Sequence, residues 1–167
     1  MPPTLIATPG AIDANTYCTL SESNTYHDAH VYGSTWLDGD DDAKKQALVW
    51  ATRLLDEQVD WSGVKNSVTQ ALRWPRSYVT DRDGFVIDSA TIPTWLKNAT
   101  AELARYLIQE DRTVERSFGL ESVTADTVEV VFKSSDVKPI LPVSVLSMIS
   151  GYGNARAASG VVKLERV

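Results

Sequence analysis

The sequence has one cysteine, Cys18, in 167 residues, and therefore cannot form a disulfide within the chain. This composition fits a reducing compartment. The sequence also lacks a run of about 18 apolar residues, which a membrane-spanning helix requires. Its first residues lack the basic start and apolar core of a signal peptide. We therefore expect a protein that is made and used in the cytoplasm, or built into something assembled there, and that has no membrane partner.

An excess of positive charge is also missing, since 16 Lys and Arg face 22 Asp and Glu and give a net charge of −6. Proteins that grip nucleic acid through its phosphates usually have a basic surface. The negative net charge argues against a protein surface that is basic overall, but it is compatible with a local basic patch. Apolar residues make up 43% of the chain, which is typical of a globular protein with one core.

Histidine is scarce as well. His27 and His30 lie three residues apart on a predicted helix, a spacing that two zinc ligands can share. A third ligand would have to be Cys18 or a carboxylate, so packing or surface roles are the favoured interpretation. No serine has the sequence context of a hydrolase nucleophile. We predict no catalytic residue and no metal ligand, and therefore no enzyme.

The acidic run in the first third of the chain resembles the opening of a calcium loop, with Asp38, Asp40 and Asp42 at the first ligand positions. Such a loop requires glycine at its sixth position and glutamate at its twelfth, where this chain has Ala43 and Val49. Acids at a helix start interact favourably with its positive end. The run is therefore interpreted as a helix start. No glycine-rich phosphate loop follows a predicted strand, so no cofactor is predicted.

Hydrophobic periodicity predicts a mainly α fold, a small bundle of about four helices. The first begins with a capping box formed by Thr19 and Glu22. The second has one buried stripe that includes Leu48 and Leu55, and the third follows Pro93, which suits a first helical turn. The helices are expected at about 20–32, 41–58, 93–113 and 142–149.

The remaining segments predict an arm and a tail around the bundle. Alternating residues near 122–133 indicate a β arm or half of a hairpin, with Val128, Val130 and Phe132 on one face. The C-terminal tail carries Val161, Val162 and Leu164 in a candidate strand, and such strands often pair with another chain. The domain organisation is an N-terminal arm at 1–18, a helical domain at 19–152 with an ordered loop at 59–91, and a C-terminal docking tail at 153–167.

The centre of the chain mixes cations and aromatic residues. One hypothesis is a single-stranded DNA platform, in which bases stack on Trp74 and Tyr78 while Arg73 and Arg76 bind phosphates. The alternative is that Trp74 and Pro75 pack on the helices and an arginine pairs with a carboxylate, since aromatic residues are more often buried than displayed. Packing is the favoured interpretation.

Several short motifs follow one another along the chain. The most characteristic residues are Gln70, Leu72, Trp74, Pro75, Arg76 and Pro93. The other motifs are Thr19–Glu22, Asp38–Asp42, Leu54–Leu55, Asp81–Gly84, Ala99–Ala104 and Leu141–Pro142. In this order and spacing, over about residues 16–150, the motifs resemble a family of tailed-phage neck proteins that is catalogued as DnaT-like single-stranded DNA-binding proteins.

The resemblance implies a head–tail connector, also called an adaptor, in the neck of the virion at the capsid vertex. Such subunits form a ring of about twelve copies beneath the portal protein, and genomic double-stranded DNA passes through its channel. The implied partners are further copies of this chain, the portal protein, and tail or other neck proteins. Portal or neighbour docking is expected at Val128, Val130, Phe132, Val161, Val162 and Leu164.

Overall fold

The computed structural model describes residues 1–114, 122–125, 128–131 and 139–156. Within these ranges it has five helices and three two-stranded antiparallel sheets, which confirms the mainly α prediction with a β arm. None of the helices in these ranges is long and apolar enough to cross a membrane.

The first helix, α1 (Leu20–Asp28), begins where the sequence predicts. The Thr19 hydroxyl accepts the Glu22 N–H at 3.2 Å, and the Glu22 carboxylate accepts the Thr19 N–H at 2.8 Å. Together these bonds satisfy two backbone donors that a helix start leaves open. The helix ends four residues before the predicted Tyr32.

The early end of α1 makes room for a second helix that the sequence did not predict, α2 (Ser34–Leu37). Gly33 lies so close to α1 that a Cβ there would be 2.3 Å from the backbone oxygen of His27. This approach folds the chain back and buries Trp36 completely, with its ring stacked on His27 at 4.8 Å between centroids. Only glycine permits so tight a return.

The helix α3 (Asp41–Gln58) has the predicted bounds. The Asp40 carboxylate accepts the N–H groups of Asp42 and Ala43 at 3.0 and 3.3 Å, so this part of the acidic run caps a helix. The buried stripe on α3 consists of Ala47, Leu48, Ala51, Leu54 and Leu55.

The helix α4 (Thr94–Gln109) packs against α3 and forms the other wall of the core. It follows Pro93 and ends four residues before the predicted Thr113, because the chain turns to bring Arg112 across to the Ile140 oxygen at 3.0 Å. The predicted fourth helix is α5 (Val143–Ile149), which packs on α4. Apolar core residues on α4 and α5 include Leu96, Ala99, Leu103, Ala104, Val145 and Ile149.

The predicted ordered loop contains short strands, β1 (Val59–Trp61), β2 (Val64–Lys65) and β3 (Arg76–Ser77). β2 and β3 pair in antiparallel fashion. A tight hairpin follows β3, in which the Ile87 N–H donates to the Val79 oxygen at 2.9 Å. We call this unit, residues 79–87, the loop hairpin.

The predicted β arm is a hairpin of β4 (Ser122–Ala125) and β5 (Val128–Val131). Among the described residues these two strands pair with each other and with no further strand.

The last strand, β6 (Gly153–Ala155), changes the prediction for the C-terminal tail. It pairs antiparallel with β1, and the Arg156 N–H donates to the Gln58 oxygen at 2.7 Å. The first residues of the segment assigned to docking at 153–167 therefore belong to a sheet of the folded domain.

The N-terminal segment packs on the domain and is not a free arm. The Asn15 side chain closes a loop by accepting the Ile6 N–H and donating to the Thr4 oxygen, both at 2.8 Å. Tyr17 and Cys18 are buried in the core. Burial raises the pKa of the Cys18 thiol to about 12, so this thiol is a packing group.

Candidate nucleic-acid interface

The central stretch Gln70–Arg76 is held in shape by the buried side chain of Gln70. Its amide nitrogen donates to the oxygens of Leu72 and Pro75 at 2.9 and 3.1 Å, and its amide oxygen accepts the Ser67 N–H at 3.1 Å. One side chain thus bonds three main-chain groups of a loop that lacks regular structure. Leu72 is half-buried against the core.

Trp74 faces the interior, where only 1% of its surface is exposed. Its ring meets those of Trp61 and Trp95 edge to face, with centroids 5.9 and 5.3 Å apart, and Trp95 stacks on Tyr152 at 4.1 Å. The Trp74–Pro75 peptide bond is cis. A base cannot stack on Trp74 in this conformation, because protein rings already surround it.

Arg76 is also internal, with 8% of its surface exposed. Among the described residues its guanidinium bonds no carboxylate, and it donates to four backbone oxygens. Burial lowers the pKa of Arg76, and the nearby positive charge of Arg73 lowers it further. The four acceptors are the oxygens of Ser62 at 2.6 Å, Gly63 at 2.6 Å, Arg73 at 3.2 Å and Trp61 at 3.3 Å.

Asp56, near the end of α3, joins the stretch to the N-terminal segment. Its carboxylate accepts the Arg73 N–H at 3.0 Å and the Tyr17 hydroxyl, which in turn accepts the Trp74 N–H at 3.3 Å. Burial raises the pKa of Asp56, and the bonds from Tyr17 and Arg73 partly offset this. The main chain of Arg73 is therefore fixed, while its side chain is exposed.

The other two residues of the predicted platform, Arg73 within the stretch and Tyr78 two residues after it, are exposed. Tyr78 is 86% exposed. It is the one non-glycine residue with positive φ, at 62°, in the part of the chain that the structure describes. The four residues proposed from sequence as one platform therefore divide, with Trp74 and Arg76 inside and Arg73 and Tyr78 outside.

A cleft of about 710 Å³ opens beside Tyr78, between the two strands of the loop hairpin and the residues that follow them. Tyr78, Thr80, Val86 and Asp88 line it. The motif Asp81–Gly84 forms the turn of this hairpin, with the Gly84 N–H donating to the Asp81 oxygen at 3.1 Å, but the motif did not predict the hairpin. The missed signal is the β-prone residues on both sides of this glycine-containing turn.

The two histidines have different surroundings. His27 is fully buried, its Nε2 lies 3.1 Å from the Ala101 oxygen, and its Nδ1 has no hydrogen-bond partner among the described residues. Burial lowers the pKa of His27 to about 4. His30 lies 3.7 Å from Glu102, which also bonds Arg105. The described ranges contain no group of three or more His, Cys, Asp or Glu that could hold a metal ion.

The structure describes only two of the six predicted docking residues. Val128 and Val130 lie on β5, for which the backbone alone is described. The other predicted docking residues, Phe132, Val161, Val162 and Leu164, lie outside the described residues.

Comparison with known proteins gives one family. The family model described as "Putative DnaT-like ssDNA binding protein" matches residues 4–167. No curated protein and no solved structure matches the chain.

Proposed function

Because the chain belongs to the family of DnaT-like ssDNA binding proteins, we propose that it binds single-stranded DNA and catalyses no reaction. We call the two exposed residues Arg73 and Tyr78 the outer face and propose them as the contact surface, in which Tyr78 offers a ring to a base and Arg73 offers a guanidinium to a phosphate. Trp74 and Arg76, inside, hold this face in place. This revises the platform proposed from sequence and keeps its two exposed members.

The backbone of Tyr78 is the observation that carries the proposal. A bulky non-glycine residue at φ 62° is conformationally costly, and such outliers cluster at binding and active sites. The ring makes little use of this geometry for packing, since 86% of the residue is exposed. An aromatic ring held out in solvent beside an open cleft is a suitable stacking surface for an unpaired base.

Charge around Tyr78 predicts a mode of binding in which stacking outweighs phosphate contacts. Asp81, Asp83 and Asp88 lie on or next to the loop hairpin, and Arg73 is the exposed cation of the outer face. Each phosphate contact to single-stranded DNA contributes about −0.7 to the slope of log K against log salt. We expect a slope of about −1, with Arg73 supplying most of it.

Tyr78→Ala is expected to weaken the affinity for a labelled single-stranded oligonucleotide by about 5- to 150-fold, since stacking on one aromatic residue contributes about 1–3 kcal/mol. Fluorescence anisotropy titration at two salt concentrations measures it. Tyr32→Ala is the matched control, because Tyr32 is 73% exposed in the turn after α1 and should leave the affinity unchanged. No binding by the unaltered protein, or equal loss in both variants, would contradict the proposal.

A second candidate is the head–tail connector subunit that the sequence resemblance implies, located in the virion neck. The supporting observation is that β4 and β5 form a two-stranded sheet that no other described strand extends. An isolated two-stranded hairpin is marginally stable in water. Packing of this arm on the portal protein or a neighbouring copy in the ring would complete it, with Val128, Val130 and Phe132 at the contact.

The connector hypothesis predicts that a chain ending at Arg156 folds but no longer joins portal-bearing capsids. The cut preserves β6, which a deletion from residue 154 would remove from its sheet with β1. Co-sedimentation with capsids measures the joining, and circular dichroism confirms the fold. Tyr78→Ala in the full chain is the control and should co-sediment normally. Undiminished co-sedimentation of the shortened chain would refute the docking role of the tail, including Val161, Val162 and Leu164.

A further inference from the structure

A groove opens between α1 and α4, on a part of the molecule that neither proposed function uses. Its volume is about 490 Å³, and none of its lining residues belongs to the central stretch or to the loop hairpin. An ion pair crosses it, from the Lys97 ammonium to the Glu22 carboxylate at 2.6 Å. Thr25 and Ala29 line the α1 wall between this pair and His30, and their short side chains leave the groove open. We call it the α1–α4 groove.

Asn98 lies on the α4 wall of the α1–α4 groove and has an unused side-chain amide. The residue is half-buried, and within the described ranges its side-chain amide makes no hydrogen bond. Such an amide offers two N–H donors and one acceptor oxygen. Glu22 and Lys97 neutralise each other, so the groove suits an uncharged occupant with a hydroxyl group on an apolar body. A tyrosine side chain has this chemistry.

The turn after α1 presents two exposed apolar residues at the edge of the same groove. Val31 and Tyr32 are 90% and 73% exposed. The turn is fixed, because the Gly33 N–H donates to the His30 oxygen at 2.9 Å and the Tyr32 N–H donates to His30 Nδ1 at 3.0 Å. His30 lines the groove, so Val31 and Tyr32 follow directly on its wall. A rigid group of this kind loses little conformational entropy when it binds. We call these two residues the apolar knob.

We propose that two copies of the chain associate through this face, with Tyr32 of each copy in the α1–α4 groove of the other. Tyr32 does not line the groove of its own copy, and its ring meets that of His30 edge to face at 6.2 Å between centroids. Because knob and groove are adjacent, a two-fold axis between them brings each knob opposite the groove of the other copy and forms both contacts at once. In each contact the tyrosine hydroxyl reaches the unused Asn98 amide. The inference rests on neither of the proposed functions.

The size of the contact predicts a weak dimer. An aromatic side chain that becomes buried covers about 150–250 Å², and two knobs with the groove walls opposite them bury on the order of 1,000 Å² in total. Specific, stable interfaces bury about 1,200–2,000 Å². We therefore expect a dissociation constant of about 0.1–1 mM, so that the protein is monomeric at micromolar concentration.

Dilution of the full chain from about 1 mM to about 0.01 mM, followed by proton–nitrogen correlation NMR, tests the association. We expect the amide signals of residues 25–33 and of the Asn98 side chain to shift with concentration. Tyr32→Ala should weaken the association at least about tenfold and abolish these shifts, because a buried tyrosine often dominates the energy of an interface. Thr25→Arg, which fills the groove from its exposed α1 wall, should do the same. Tyr78→Ala is the matched control and should dimerise normally, since Tyr78 is 86% exposed outside this face.

A sample that mixes isotope-labelled and unlabelled copies identifies the contact itself. In it we expect nuclear Overhauser effects between the Tyr32 ring of one copy and the Asn98 amide of the other. Signals that do not depend on concentration, or shifts that persist in Tyr32→Ala or Thr25→Arg, overturn the proposal. Concentration-dependent shifts without these Overhauser effects place the contact elsewhere and also overturn it.

The two measurements are independent of the proposed functions. Neither contains DNA or capsids, so failure of the dimer is distinguishable from failure of DNA binding or of connector assembly. A DNA titration at micromolar protein lies below the expected dissociation constant, so Tyr32→Ala remains a valid control there.

Discussion

Trp74→Ala is expected to lower the free energy of unfolding by about 3–5 kcal/mol, the usual cost of truncating a buried tryptophan. The cost should lie near the upper end, because Trp74 also makes edge-to-face contacts with Trp61 and Trp95, each worth about 0.5–1.5 kcal/mol. Domains of this size are stable by only about 5–15 kcal/mol. The variant should therefore be near the limit of folding.

Urea unfolding followed by circular dichroism at pH 7 measures this change without depending on tryptophan fluorescence. Trp50→Ala is the matched control, because Trp50 is 38% exposed on α3 and its ring contacts the Arg53 guanidinium at 4.7 Å. We expect it to cost about 1 kcal/mol or less. If Trp74→Ala lowered the free energy of unfolding as little as Trp50→Ala, the contacts of Trp74 with Trp61 and Trp95 would not be what stabilises the central stretch.

The second large effect is a loss of stability in mild acid that depends on His27. The folded pKa of about 4 lies below the unfolded value of about 6.5, so above pH 6.5 His27 is neutral in both states. As the pH falls from 6.5 to 4, the unfolded chain binds a proton that the folded protein does not, and stability is lost. The full difference corresponds to about 3 kcal/mol.

Urea unfolding at pH 7 and pH 4.5 tests the role of His27 as a difference between two pH values. In His27→Gln the loss on acidification should be smaller than in the unaltered protein by about 2–3 kcal/mol, whatever the cost of the substitution at pH 7. Carboxylates such as Glu22 and Asp56 titrate in both proteins, so their contributions cancel. His30→Gln removes the other histidine and should lose as much stability between pH 7 and pH 4.5 as the unaltered protein does. An unchanged loss in His27→Gln would show that His27 is not its source.

Local sequence patterns predicted the parts of the fold that local physics determines. The apolar stripe and the Asp40 cap determine α3, and the Thr19–Glu22 box determines the start of α1. The helix α2 was not predicted, because four residues are too few to show the hydrophobic period of a helix. Its place depends on the approach of Gly33 to His27, which only the folded chain reveals.

The sequence predicted which residues belong to the candidate site, but it did not predict which of them are buried and which are exposed. Composition alone could not separate the buried Trp74 from the exposed Tyr78, because both are aromatic residues beside an arginine. The partners of Arg76 are main-chain oxygens, which have no sequence pattern. The pairing of β1 with β6 joins segments about ninety residues apart along the chain, and no local periodicity reports such a contact.

Because Arg76 binds four backbone carbonyls, the loop around it can tolerate changes of sequence. Every residue type has a backbone oxygen, so the guanidinium can hold the loop along the same path while side chains at most of these positions change. Gly63 is the exception, since a Cβ there would lie 2.2 Å from the Ser77 oxygen. New ligand preferences could therefore arise by substitution on the outer face, with little disturbance of the scaffold beneath it.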